Sequence, residues 1–146
     1  MNAVPVTIIL IEDDPGHARL IEKNVRRAGV NNPILLFADG TSALAHLFGH
    51  DTNGARLIGT AHLVLLDLNL PDMSGIEILT RLKADEHLKR VPVVVLTTTD
   101  DKVEIQRCYD LGCNVYITKP VDYEGFATAI RQLGLFLAVM QVPETA

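Results

Sequence analysis

Polar side chains that could bind a cation or a phosphoryl group follow four apolar segments of the chain. In chain order they are Glu12, Asp13 and Asp14 after VTIILI; Asp67 and Asn69 after HLVLL; Thr97, Thr98 and Thr99 after VVVL; and Thr118 and Lys119 after NVYI. Crowded carboxylates repel one another unless a cation holds them, and a set of oxygen ligands suits Mg²⁺. If the four segments meet, their ends form a magnesium site with a hydroxyl and an ammonium beside it.

The apolar segments are predicted to be strands of one sheet. Five such runs (6–12, 33–37, 62–68, 91–97 and 114–118) alternate with helical patterns at 14–29, 41–48, 76–85, 100–112 and 122–140. Strands separated by helices imply parallel pairing with right-handed crossovers, and therefore an open α/β sheet with helices on both faces. In such sheets, sites form beyond the carboxyl ends of the strands, so the polar residues are expected to meet there.

Composition limits the classes of function. A chain of 146 residues, 48% of them hydrophobic, predicts one domain spanning 1–146. The net charge is −5 and the 13 lysines and arginines are scattered, which argues against direct nucleic-acid binding. The first residues carry neither a signal peptide nor a membrane span, so a cytoplasmic protein is expected. Cys108 and Cys113 are predicted to be small buried side chains, and most of the five dispersed histidines to be surface or structural residues.

Four motifs together resemble a known family. IEDD, LLDLNLPDMSG, LTTTD and YITKP, in this order at successive strand ends, look like the CheY-like receiver domain of two-component response regulators. The resemblance covers roughly residues 7–137. It implies a flavodoxin-like (βα)₅ fold with strand order 2-1-3-4-5, and phosphotransfer from a sensor histidine kinase to one aspartate.

The resemblance implies an acceptor and a metal site. Asp67 would be the phosphoacceptor, and Glu12 and Asp13 would bind Mg²⁺ together with Asp67 and the backbone carbonyl of Asn69. Such a protein is not an enzyme acting on a separate substrate, but it catalyses its own phosphorylation and dephosphorylation. Asn69 and Thr99 match positions beside the path of attacking water, so they are expected to tune the lifetime of the phosphoryl group.

The resemblance also implies a set of switch residues. Lys119 would pair with the phosphoryl oxygens, and Thr97 would donate its hydroxyl to them. Tyr116 would be the aromatic residue whose rotamer follows that change, and the Lys119–Pro120 bond would be cis, an isomer that proline makes accessible. Structural alternatives stay open, since Tyr116 could simply pack and Thr97 could simply be a β-former.

Two departures from a compact receiver indicate which group of receivers this chain resembles. The loop at 49–60 is an insertion, and residues 133–146 form a C-terminal extension whose 133–140 portion is apolar around the helix, apart from one glycine. Such a patch predicts an interface, and the alternative is a terminal helix lying fully in the core. With the acidic pair Glu12 and Asp13, these features resemble the single-domain receivers associated with bacterial phytochromes. That match implies a phytochrome kinase as partner and a homodimer formed through the C-terminal helix.

Two other classes of protein remain as alternatives. A phosphatase of the haloacid dehalogenase type also uses an aspartate nucleophile, but it carries a second aspartate two residues later, where this chain has Asn69. A binding module that had lost phosphorylation would lack the acceptor, an acid or the lysine. None of these is missing from the sequence.

Overall fold

Strands and helices alternate along the chain, close to the predicted boundaries. The computed structural model describes residues 6–49, 61–119 and 123–139, and the side chains of 61, 123 and 134–139 are outside this description. The elements are β1 (Val6–Ile11), α1 (Pro15–Arg27), β2 (Ile34–Phe37), α2 (Gly40–Leu47), β3 (Ala61–Leu66), α3 (Gly75–Ala84), β4 (Val93–Thr97), α4 (Lys102–Leu111), β5 (Val115–Thr118) and α5 (Tyr123–Val139).

The strands form one parallel sheet in the order β2-β1-β3-β4-β5. This confirms the predicted flavodoxin-like order. The connections leave β1 toward β2 and β3 toward β4, so the direction of winding changes between β1 and β3. A crevice therefore opens at the carboxyl ends of these two strands, which is where doubly wound sheets bind their ligands.

Alternate residues of the central strands pack into two separate cores. On one face, the cluster that includes Ile9, Leu66 and Val95 packs with residues of α2 and α3. On the other face, the cluster that includes Leu10 and Leu65 packs with residues of α1 and α5. Burial on both faces explains why these strands read as continuous apolar runs rather than as an alternating pattern.

Short polar side chains fix where the helices begin, because they bond the free N–H groups of the first turn. Asp14 accepts from the backbone of Gly16 and His17, and Asp101 accepts from Val103. Asp14 therefore caps α1, and Asp101 caps α4. The capping acid in the loop after the strand therefore sets where each of these two helices begins relative to the sheet edge.

Two predicted features fall partly or wholly outside the described residues. The insertion at 49–60 is described only at Gly49. The C-terminal extension is described as the buried side chain of Leu133 and the backbone of α5 through Val139. Among the helices within the described ranges, none combines the length and the apolar character needed to cross a bilayer.

Candidate phosphoryl-transfer site

The register of β1 against β3 brings two acids together. Ile11 pairs with Leu66, the last residue of β3, so Glu12 and Asp67 follow at the same level of neighbouring strands. The backbone N–H of Asp67 donates to the Ile11 carbonyl at 3.0 Å, which continues the ladder by one residue. The two carboxylates therefore start from adjacent backbone positions at the crevice.

The register of β4 against β5 adds a hydroxyl and an ammonium. Thr97 pairs with Thr118, and the backbone N–H of Lys119 donates to the Thr97 carbonyl at 2.7 Å. Burial of an ionised group is costly unless the group is paired, so buried charges mark sites or strong networks. Six polar or charged residues are buried in the described part of the chain, and four of them lie at this edge: Glu12, Asp67, Thr97 and Lys119.

The Lys119 ammonium is the centre of the cluster. Its Nζ donates to Glu12 Oε1 in a very short contact and to Asp67 Oδ2 at 3.2 Å. His17 Nδ1 lies 3.3 Å from the same nitrogen, and the Phe126 ring centroid lies 5.9 Å away. Lys119 is only 4% exposed, so its charge is compensated by the two carboxylates rather than by water.

The acids form a group able to hold a divalent cation. One carboxylate oxygen each from Glu12, Asp13 and Asp67 lies within 4.8 Å of the others. Burial raises the pKa of Glu12 to about 7, against the lowering effect of Lys119, so this carboxylate lacks full charge compensation. Hard oxygen ligands with one exposed member, Asp13, are the set that Mg²⁺ prefers, because Mg²⁺ keeps several of its waters. The residues present therefore fit the predicted metal.

Asp67 is oriented from the loop that follows it. The Asn69 backbone N–H donates to Asp67 Oδ1 at 3.0 Å, while Lys119 holds Oδ2. The Asn69 side-chain amide donates to Thr97 Oγ1 at 3.4 Å, so the loop also reaches the hydroxyl of β4. The structure thus brings together the residues predicted for acceptor, metal and phosphoryl contacts.

Tyr116 lies one step away from this cluster. Its hydroxyl donates to the backbone carbonyl of Thr99 at 2.6 Å, so it contacts the connection between β4 and α4 rather than the carboxylates. Burial raises the pKa of this phenol to about 12. The predicted link between Tyr116 and the threonine segment is therefore physical, whereas its rotamer change stays a prediction. The expected cis bond involves Pro120, which lies outside the described residues.

Three residues of the site region were not singled out by the sequence. His17 lies at the surface, with its side chain 40% exposed, as most of the histidines were expected to, but it also touches Lys119. Asp72, in the turn after Asp67, accepts from the backbone of Gly40 and Thr41. Gly75 begins α3, and a Cβ at this position would lie 2.5 Å from the Asp67 carbonyl oxygen.

The sequence contains a pattern that indicates two of these residues, His17 and Gly75. Pro15 and Gly16 open α1 directly after the acidic pair, so the next residue lies in the first turn of a helix that starts at the site. The turn PDMSG must bring Ser74 to its capping position close behind β3, which leaves room only for glycine at the next residue. Asp72 had no such signal, because its partner helix starts 32 residues earlier.

These features define a receiver domain, and the comparison with known proteins agrees. The family model of the response regulator receiver domain matches residues 8–131. The chain therefore belongs to the response regulator receiver family, which acts in two-component signalling. Receiver domains are phosphoacceptor signalling proteins.

The similar proteins within this family include phytochrome response regulators. A response regulator receiver domain from Rhodospirillum rubrum is 72% identical, with a TM-score of 0.91 over 95% of this chain and 98% of the other. The phosphorylated cyanobacterial phytochrome response regulator RcpA is 35% identical, with a TM-score of 0.83 over 94% and 98%. Response regulator Rcp1 from Synechocystis is 37% identical over 79% of this chain and 77% of its own length. The Mn²⁺-bound form of Rcp1 superposes with a TM-score of 0.85 and 31% identity, over 95% and 99%. The chain is thus related to phytochrome response regulators.

Proposed function

We propose that the protein accepts a phosphoryl group from a sensor histidine kinase onto Asp67, in a reaction that requires Mg²⁺. The observation that carries this proposal is the buried Lys119 ammonium bonded to the Asp67 carboxylate at the edge where Glu12 and Asp13 can hold a cation. Few structural roles explain two buried acids and a buried lysine at the end of a sheet with an exposed third acid beside them. The relation to RcpA, whose structure is of a phosphorylated form, supports the same assignment.

The chemistry asks little of the protein. An Asp67 carboxylate oxygen attacks phosphorus, the P–O bond forms, and the P–N bond to the donor histidine breaks in line with it. Catalysis of such transfers is mostly positioning and charge neutralisation. Lys119 neutralises charge on the phosphoryl oxygens, and the Thr97 hydroxyl donates to one of them. The Asn69 N–H holds Asp67 Oδ1 in place while the other carboxylate oxygen reacts.

The metal belongs to the acidic cluster. Asp13 and Asp67 would contribute carboxylate oxygens directly, Glu12 would act through water, and the Asn69 backbone carbonyl would complete the share of ligands from the protein. When bound, Mg²⁺ offsets the negative charge that gathers between carboxylate and phosphoryl group. The Mn²⁺-bound form of the related Rcp1 supports the binding of a divalent cation.

Intact-mass spectrometry after incubation with acetyl phosphate tests the proposal. The wild type is expected to gain one phosphoryl group with Mg²⁺ present and none without it, and Asp67→Asn is expected to gain none. Asp72→Asn serves as the matched control, because this acid lies in the same loop but caps α2. A wild type that gains no mass under any condition would favour a binding module that does not depend on phosphorylation.

The partner proposals rest on the relatives. RcpA is a phytochrome response regulator by name, and we infer a bacterial phytochrome histidine kinase as the donor for this chain.

We also propose that residues 1–146 form a single receiver domain and that two copies of it form a homodimer. The interface would be the C-terminal part of α5 together with residues 140–146. Leu133 packs in the core, and the apolar character of 134–140 supports that interface. A haloacid dehalogenase phosphatase is not favoured, since Asn69 occupies the position of its second aspartate.

A further inference from the structure

We propose that His17 is a positioning residue for Lys119: its Nδ1 accepts a hydrogen bond from the ammonium and keeps that ammonium directed at Asp67. This inference rests on the proposed phosphorylation of Asp67 for its functional consequence. The hydrogen bond itself does not depend on it.

The Lys119 ammonium has as many N–H donors as it has side-chain acceptors around it. A lysine ammonium has three N–H donors and no acceptor. Three side-chain acceptors surround the Lys119 nitrogen, namely Glu12 Oε1, Asp67 Oδ2 at 3.2 Å and His17 Nδ1 at 3.3 Å. Lys119 is buried, so an N–H without a protein partner would lack water as a substitute. His17 therefore completes the set.

The proposed hydrogen bond requires one tautomer of the ring. An imidazole nitrogen accepts a hydrogen bond only when it carries no proton, so the proposal places the ring proton on Nε2 and leaves Nδ1 free to accept. The competing arrangement is an imidazolium paired with the acids on either side of it. Those oxygens lie farther away, with Glu12 Oε1 at 3.9 Å and Asp14 Oδ2 at 4.0 Å, beyond hydrogen-bond range. An imidazolium at 3.3 Å from Lys119 would also repel the ammonium.

The His17 backbone is held by the helix cap, and its ring, 40% exposed, packs against one aromatic residue. His17 lies in the first turn of α1, which Asp14 caps through the His17 backbone N–H at 3.1 Å. On α5, the Phe126 ring meets the imidazole edge to face, with centroids 5.4 Å apart and an interplanar angle of 79°. Phe126 is itself buried. The acceptor therefore has a defined direction, as a positioning residue requires.

His17 differs from the other two acceptors in what happens to it during the reaction. Glu12 and Asp67 both have proposed roles with the cation and the phosphoryl group, so their bonds to Lys119 must rearrange when these arrive. His17 has neither role. It is the acceptor that can hold the ammonium in place throughout, and misplacement of a catalytic group by about 1 Å can slow a reaction by orders of magnitude.

The first test reads the tautomer directly. Long-range ¹H–¹⁵N correlation spectra of the wild type, recorded at about pH 8 where an ordinary imidazole is neutral, are expected to show His17 with its proton on Nε2. In Lys119→Met this preference is expected to weaken, because the donor is gone. A proton on Nδ1, or an imidazolium at this pH, would overturn the proposal whether or not Asp67 is phosphorylated.

The second test separates an acceptor from a merely structural ring. The amide oxygen of Asn occupies the place of Nδ1, whereas that of Gln occupies the place of Nε2, and Phe keeps the ring contact with Phe126 but has no acceptor. We expect His17→Asn to be phosphorylated by acetyl phosphate at close to the wild-type rate. His17→Gln and His17→Phe should be slower on the order of tenfold. Equal rates for all three variants, whether normal or reduced, would refute a positioning role. A wild type that is not phosphorylated would refute the proposed function instead, and the tautomer would still decide the hydrogen bond.

Discussion

The Asp67 carboxylate is held by residues from two parts of the chain, and the backbone around it packs against a glycine. Asn69 and Lys119 fix the two carboxylate oxygens. Behind the strand end, the Gly75 N–H donates to the Leu68 carbonyl at 2.9 Å, which draws α3 against the acceptor loop. That approach leaves no space for a methyl group, because a Cβ would lie 2.5 Å from the Asp67 carbonyl oxygen and 2.7 Å from Leu68 Cα.

Gly75→Ala is therefore expected to displace the acceptor loop. Both close contacts are with backbone atoms, which cannot rotate away, so the loop or α3 must shift. We expect a loss of about 1–3 kcal/mol in the free energy of unfolding, as for overpacking elsewhere, and slower phosphorylation of Asp67. Urea unfolding and mass spectrometry would measure the two effects. Gly16→Ala is the control, since its closest contact is a side-chain oxygen at 3.2 Å. Equal behaviour of the two variants would contradict the prediction.

Which site residues can be predicted from sequence depends on how they reach the site. Glu12, Asp67 and Lys119 directly follow strands, and parallel strands end at one edge, so order along the chain was sufficient to predict their meeting. His17 reaches Lys119 only because α1 and α5 pack together and set the direction of its ring. Contacts of this second kind depend on packing angles, which residue patterns do not contain.

At the scale of elements, α2 is joined to the acceptor loop by one acid. Asp72 accepts from the backbone N–H of Gly40 at 2.9 Å, from that of Thr41 at 2.8 Å, and from the Thr41 hydroxyl. These bonds lower the pKa of Asp72 to about 2, from an ordinary value of 3.8. The helix that follows the edge strand is thereby tied to the loop that follows the phosphoacceptor strand.

The sign of this shift predicts a pH-dependent contribution. A lowered pKa means that the folded protein favours the carboxylate, so the stabilisation is present above pH 3.8 and is lost as the pH falls toward 2. Asp72→Asn should therefore be less stable than the wild type near neutral pH, and the difference should narrow below pH 3.8. Urea unfolding across this range is the measurement. A difference that stays constant as the pH falls would show that the charge of Asp72 does not contribute.

Consecutive residues of β3 report whether both faces of the sheet are covered. Leu65 is 1% exposed in one core and Leu66 is 0% exposed in the other. Leu65→Ala and Leu66→Ala should each cost about 2–5 kcal/mol, because each leaves a cavity in a closed core. Leu36→Ala is the control on the edge strand β2, since Leu36 is 51% exposed and should lose little. Calorimetry or urea unfolding would show a one-sided sheet if only one β3 variant were destabilised.

At the scale of the whole molecule, α5 connects the site with the proposed interface. Near its start, Phe126 contacts His17 and lies beneath the Lys119 ammonium. The helix packs along α1 through buried residues as far as Leu133 and continues to Val139. The residues that complete it are GLFLAV, an apolar sequence without a charge. A partner bound at this end would therefore rest on the same helix that contacts the ammonium.

Charges placed in that apolar stretch should abolish the proposed dimer. We expect Leu135→Glu combined with Leu137→Glu to lower the solution mass from twice the 16.0 kDa chain to one chain, since unpaired charges are costly in an apolar interface. Light scattering after size-exclusion chromatography would measure it. Gln132→Glu is the control, because it adds a charge to an exposed position one turn earlier on the same helix. The double variant should still be phosphorylated on Asp67, because its charges lie more than two helical turns beyond Phe126. A double variant that keeps the mass of two chains would exclude these leucines from the interface, and a monomeric wild type would remove the dimer while leaving the phosphoacceptor site intact.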